Sequence, residues 1–393
     1  MAKQEGVSIE KLQGGLNRLA SGTDNHLSLV LSGLPVGEVA TAINNNGKGV
    51  AITSLYAAEQ LGINESFDAN NNITAHEDIS EFFRLAPEGT LYLFDLATET
   101  EFKAFLNQNK EIKGYALYIT YDTETPNLVT TINAQQAIIN SFAAVNRQID
   151  FAIVAPNGLN AFTEDLTELS APNVSVVIAC HGSNGVAGLG AALGMLAARK
   201  VNENLGSVNI QKKPLAKRGF PTYPLTDDTL GKWLTAYLTD GTEINALPQD
   251  TFNDIVSKGY ILAAPYEGFA GIYFENSYTC IDSVSDFAFI ENNRTWNKAA
   301  RIVRTTLLPE VKGTVKKDPQ TGYMTTTTVQ RWTTLVNRAL DQMVNDDEIS
   351  SYEVYINPQQ IVNSTTPVNV QVSVVADGIV HKFAVQLGLT NTI

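Results

Sequence analysis

TLYLFDLATETEFKAFLNQNKEIKGYALYITY, from Thr90 to Tyr121, decides the fold. TLYLFDL and YALYITY are short apolar runs, and TETEFKAFLNQNK between them has the pattern of an amphipathic helix. The alternation continues downstream. INAQQAIINSFAAVNRQI (Ile132 to Ile149) is expected as helix, DFAIVAP (Asp150 to Pro156) as strand and FTEDLTELS (Phe162 to Ser170) as helix. VSVVIAC (Val174 to Cys180) then leads into a helical AGLGAALGMLAARKV (Ala187 to Val201). Apolar strands separated by amphipathic helices predict an α/β fold, with a central, mostly parallel sheet covered by helices.

Towards the N-terminus, HLSLVLSG (His26 to Gly33) alternates like a strand, and GKGVAITSL (Gly47 to Leu55) is short and apolar. NESFDANNNITAHED (Asn64 to Asp78) is rich in Asn and Asp and is expected as a surface loop. Residues 1–22 look like an arm, patterned only from Val7 to Leu16.

Past Lys217 the pattern loosens, with KWLTAYL (Lys232 to Leu238) expected helical. GYILAAPY (Gly259 to Tyr266) and AGIYFEN (Ala270 to Asn276) suit a strand pair around Glu267 and Gly268. Two long helical patterns follow, Asn292 to Val311 and Thr328 to Ile349, separated by a hairpin or loop with Pro319 and Gly322 as breakers. The chain closes with the strand YEVYINP and a hairpin, VNVQVSVVADGIVHKFAVQLGL. There Val368, Val370, Val372 and Val374 share one strand face, Asp377-Gly378 turns, and Phe383, Val385 and Leu387 return. The expected organisation is an N-terminal arm over 1–22, an α/β domain over 23–255 and an α+β domain over 256–393.

With 393 residues, 44% hydrophobic and 17% charged, the chain can bury a large core. A net charge of −14 argues against a nucleic-acid partner, since phosphate contacts need clustered Lys and Arg. No apolar run reaches about 18 residues, so no membrane span or membrane partner is expected. No signal-peptide core is visible after MAKQEGVSIE. Cys180 and Cys280 allow one bridge but no framework, and reduced thiols are the expectation.

The chemistry-bearing residues give little. CHGSNGVAGLG (Cys180 to Gly190) sits between strand and helix, where a dinucleotide fingerprint would sit, but Leu193 and Ala187 stand where that motif needs glycine. Small residues for close helix packing are the plainer reading. Cys180 and His181 are adjacent at a strand end, so they project to opposite faces and cannot form a nucleophile–base pair. His26, His76 and His381 are scattered without metal-ligand spacing. Asn44 to Gly49 fails as a phosphate loop, with Ala42 and Gly49 at the deciding positions. Acidic pairs such as Glu77-Asp78, and the run Asp346-Asp347-Glu348, are expected as solvated faces. No cofactor, no metal and no enzymatic role is expected.

The order of the last third carries a resemblance. A helix with paired basic residues, an insert, a second amphipathic helix, the acidic turn NDDEISSYEVYINPQQ and the Val-rich end together resemble the C-terminal domain of contractile tail sheath proteins. These serve myophages, tailocins and type VI-like injection systems. Leu189 to Val208 is similar to a segment of a divergent sheath branch.

The resemblance implies a structural subunit, assembled in the bacterial cytoplasm, that stacks as hexameric rings around an inner tube and contracts. It implies a baseplate and a tail terminator as further partners. It also implies strand exchange between subunits, with Val7, Ile9, Leu12 and Leu16 in one arm and Phe383, Val385, Leu387 and Leu389 in the other as donors. Arg294, Lys298, Arg301 and Arg304 line one side of a helix and are candidates to face an acidic ring on the tube. A solvated face or salt bridges within the subunit would explain them as well, and Arg331 and Arg338 on the second helix compete for the tube. The alternatives are a nucleotide-binding α/β enzyme using Gly182 to Gly190, or a baseplate or capsid protein.

Overall fold

The computed structural model of the chain describes residues 23–385 apart from 33, 97, 122–126, 364–365 and 382. The chain divides into two compact units, Met1–Asn293 and Arg294–Ile393.

The first unit opens with β1 (His26–Ser32), α1 (Glu38–Asn44), β2 (Val50–Ile52) and three helices, α2 (Leu55–Gln60), α3 (Glu65–Asn71) and α4 (Ala75–Leu85). Alternation is then strict through β3 (Thr90–Leu96), α5 (Glu99–Gln108), β4 (Gly114–Thr120), α6 (Leu128–Ala143) and β5 (Phe151–Asn157). Next come β6 (Val174–Val177), α7 (Leu189–Ala198), α8 (Gln249–Ser257), β7 (Tyr260–Ile261), β8 (Ala263–Pro265) and β9 (Ile272–Phe274). Seven strands form one sheet in the order β2-β3-β1-β4-β5-β6-β7. Only β2 runs antiparallel to its neighbour, so the expected mostly parallel sheet is present. All four residues of β6 and the first five of β3 are buried, which is why these strands are apolar runs rather than alternating ones. β8 and β9 pair antiparallel, as their sequences suggest.

Helix α7, LGAALGMLAA, is buried from Leu189 to Ala197 and lies on α4. Its glycines make that approach possible. A Cβ on Gly190 would stand 2.0 Å from the Asp78 carbonyl oxygen, and one on Gly194 would stand 3.0 Å from that of Phe82.

Three local expectations are corrected. Asn64 to Asp78 is helical: the Asn64 side chain accepts from Phe67 N at 2.9 Å, and Asn72 closes α3 at φ 52°. The Asn and Asp residues there cap helices rather than fill a loop. Phe162 to Ser170 keeps only one 3-10 turn, Leu166–Glu168. Lys232 to Leu238 is not helical, because its backbone serves the sheet: Tyr237 and Cys180 exchange two 2.8 Å hydrogen bonds, prolonging the line of β6. The expected start of the last domain, residue 256, falls inside the first unit, where β7 pairs with β6 and completes the large sheet.

The second unit contains most of α9 (Ile290–Leu307), then α10 (Thr326–Asn345), β10 (Ser351–Tyr355) and β11 (Gln371–Val375). β10 and β11 form an antiparallel pair, so the partner of the Val-rich strand is YEVY. Val336, Leu340, Met343 and Ile349 are its inner residues, with Tyr352, Val354, Val372 and Val374 packed against them. Strands alternating between this cluster and the outside explain the period-two pattern.

Candidate functional site

Ionisable side chains converge at the carboxyl ends of β4 and β6. The first turns of α4 bring Glu77, Asp78 and Glu81, β4 brings Tyr118, the segment after β6 brings His181, and Lys232 and Trp233 come from the irregular stretch beyond. The space between them is about 20 Å³, room for about one water.

Asp78 is 3% exposed. Its Oδ1 accepts from Gly190 N at 2.8 Å, in the first turn of α7, and its Oδ2 accepts from the Thr74 hydroxyl at 3.2 Å. Burial pushes its pKa up to about 7. The Tyr118 hydroxyl lies 2.7 Å from Asp78 Oδ2 and 2.8 Å from the Ala187 carbonyl. A phenol has one proton and can donate to only one of these acceptors. With Asp78 protonated on Oδ2, its proton goes to Tyr118 and the tyrosine's to Ala187, and both contacts are hydrogen bonds.

Glu77 lies beside this group, with its side chain 33% exposed. It accepts from His181 and, at 2.7 Å, from Lys232. Those bonds, the His181 one first, hold its pKa down to about 2, and the same bond raises that of His181. Glu81 accepts from Trp233 Nε1 at 3.0 Å and from Arg84 at 2.6 and 2.8 Å. Glu77-Asp78 is therefore not the solvated pair its sequence suggested.

The chemistry open to this cluster is narrow. Cys180 is fully buried, its Sγ lies 3.6 Å from the Ile178 carbonyl, and burial pushes its thiol up to about 12. His181 has Glu77 as its partner, so the two do not form a couple. The phosphate cradle imagined at Gly182 to Gly190 is already filled. Gly188 N donates to Ala179 O at 2.8 Å, and Gly190 N is taken by the Asp78 carboxyl. An anion at this helix start would have to displace a carboxyl of the chain itself. A larger cleft of about 200 Å³ lies beside it, at the ends of β1 and β4, lined by Leu34, Ile73, Ile119, Thr120 and Asn157. Strand order reverses there, a common ligand position in open α/β sheets. Its polar groups Asn157 O and Thr120 O already accept from Tyr121 N at 2.9 Å and from Asn127 Nδ2 at 3.1 Å.

His26 contacts the Tyr92 hydroxyl at 3.2 Å and His76 contacts Glu59 at 3.3 Å. Among the described residues, no three His, Cys, Asp or Glu side chains are placed to hold a metal. No described helix is long and apolar enough to cross a membrane.

In the second unit, Phe383 and Val385 are each 82% exposed and Val380 63%. Val7, Ile9, Leu12, Leu16, Leu387 and Leu389 lie outside the described residues. The basic residues of α9 do not share one environment. Arg294 is 1% exposed, Lys298 donates to Glu348 at 2.5 Å, Arg301 is half-buried and Arg304 is exposed. On α10, Arg331 forms a two-pronged pair with Glu310, which Trp332 Nε1 also contacts at 2.9 Å.

The same architecture recurs in solved tail proteins. A chain of the anti-feeding prophage (AFP) baseplate, solved by cryo-EM with 6-fold symmetry, superposes with a TM-score of 0.58 at 13% identity, covering 99% of this chain and 100% of that one. The sheath tail protein of Desulfitobacterium hafniense gives 0.52 at 10% identity, covering 94% of this chain and 100% of that one. That of Listeria innocua gives 0.51 at 9%, covering 91% and 96%. The chain has the fold of contractile tail sheath proteins.

By sequence it belongs to the DUF2586 family, whose N-terminal domain matches residues 4–278 and whose C-terminal domain matches residues 286–393. No curated protein matches it.

Proposed function

We propose that this protein is the structural subunit of a contractile tail sheath, polymerising as stacked hexameric rings around an inner tube and contracting to drive that tube through a target envelope. The observation that carries this reading is the likeness to two sheath tail proteins over 94% and 91% of the chain. The arms supply the links. Phe383 and Val385, apolar and exposed, suit a strand that finishes its burial in a neighbouring subunit's sheet, each backbone hydrogen bond adding about 0.5–1.5 kcal/mol. The N-terminal arm, with Val7, Ile9, Leu12 and Leu16, is the second donor.

Contact with the tube falls to the exposed Arg304 of α9, since Arg294 is buried and Lys298 is tied to Glu348. A baseplate and a tail terminator close the ends, and assembly takes place in the bacterial cytoplasm. The ionic cluster at Asp78 holds α4, β4 and α7 in place, and no catalytic role is proposed for it. Negative-stain microscopy of the purified chain tests the reading. Wide striated tubes or stacked rings are expected, and a single small particle at all concentrations would refute it.

A further inference from the structure

Residues 211–222, QKKPLAKRGFPT, hold four of the chain's 27 basic residues and no acidic one, in a protein with 41 Asp and Glu. Lys212, Lys217 and Arg218 are exposed, and no described carboxylate pairs with any of the four cations. Between them stand two apolar side chains in water, Leu215 at 69% and Phe220 at 57% exposure. The loop is nonetheless built. A 3-10 turn spans Leu215–Lys217, with Lys217 N bonded to Pro214 O at 2.8 Å. Lys213 Nζ donates to the Phe220 carbonyl, and the Lys217 ammonium sits 5.8 Å from the Phe220 ring. Tyr223, 2% exposed, anchors the far end through Val208 O at 2.7 Å.

A loop that is held in shape by Lys213 on its own backbone, with Leu and Phe presented outward beside exposed cations, is prepared for contact. Apolar anchors rimmed by charge, held in shape beforehand, are what a protein interface uses. We propose that this loop is a docking knob for a second copy of this chain, Leu215 and Phe220 entering a recess and the four cations meeting acidic residues of the neighbour. Charge complementarity selects that occupant, because every other copy carries a net −14. The inference rests on the polymer reading above and names one lateral contact within it. Repeated head-to-tail from copy to copy, as the polymer reading requires, such a contact propagates into rings or helices.

Two variants test it, Lys212→Glu/Lys213→Glu/Lys217→Glu/Arg218→Glu and Leu215→Ser/Phe220→Ser, each compared with wild type by thermal melting and sedimentation velocity. The expected result is an unchanged melting temperature with a half-assembly concentration raised at least about tenfold, a shift of about 1.4 kcal/mol. An unchanged half-assembly concentration overturns the knob and leaves the sheath reading standing. Carbodiimide cross-linking of a mixture of 14N- and 15N-labelled wild type is read independently. It should join Lys212, Lys213 or Lys217 of one copy to an acidic residue of another, even if no tubes form. In that case only the sheath reading fails. Absence of such intermolecular links overturns the knob. So does binding to phosphatidylglycerol vesicles or duplex DNA that the charge reversal abolishes while its half-assembly concentration stays that of wild type.

Discussion

At Asp78 a carboxyl shielded from water meets a helix N–H, a threonine and a tyrosine. Its pKa of about 7 lies above the 3.8 of an unfolded chain, so the folded state holds the proton more tightly. Stability from this group is full below pH 4 and declines as pH rises towards 7. Asp78→Asn stays neutral and keeps an acceptor for Gly190 N and a donor for Tyr118. Its unfolding free energy relative to wild type should therefore improve between pH 4 and pH 8, by on the order of 4 kcal/mol, in urea titrations at each pH. Parallel curves would mean that Asp78 does not change its protonation over that range. Glu77 works with the opposite sign. Held near 2 against 4.5 unfolded, it stabilises above pH 4.5 and loses that contribution as pH falls through 2. The penalty of Glu77→Gln should thus be largest near neutrality and vanish in strong acid, as followed by melting temperature.

Helix α7 reaches α4 only because two of its residues lack a side chain. Gly190→Ala puts a methyl against backbone, which cannot swing aside, and should cost at least about 3 kcal/mol or prevent folding. Gly182→Ala in the same loop meets nothing nearer than 3.9 Å and should change the urea midpoint little. In the second unit, Leu340 is fully buried between α10 and the β10–β11 pair, and Leu340→Ala should cost about 2–5 kcal/mol by the same measurement. Elements buried on both sides were legible from sequence, since β3, β5 and β6 have few polar residues to confuse the pattern. Elements whose polar residues act as caps were not, and Asn64 to Asp78 passed for a loop. That error hid the site as well. Once α4 is known to be a helix, Ala75, Asp78, Ile79 and Phe82 fall on one face at spacings of three and four, which places Asp78 indoors. Lys232 and Trp233 join the cluster through an irregular stretch whose path no periodicity encodes.

At the scale of the whole chain, an α/β unit is followed by a smaller one in which Val380, Phe383 and Val385 are apolar and exposed. Removing residues 382–393 should leave the melting temperature of the lone subunit nearly unchanged and abolish long assemblies, as seen by sedimentation and microscopy. Normal tubes from the truncated chain would exclude that arm as a link. The narrowness of the last sheet has a further consequence. Among the described residues β10 and β11 have only each other, and a ribbon of two strands depends on whatever lies against it. In the lone subunit, hydrogen–deuterium exchange at the outward-facing edges of Ser351–Tyr355 and Gln371–Val375 should be fast compared with β4 or β5. A third strand arriving from outside would slow it sharply, so the deuterium clock of this one ribbon would time each subunit's entry into the polymer.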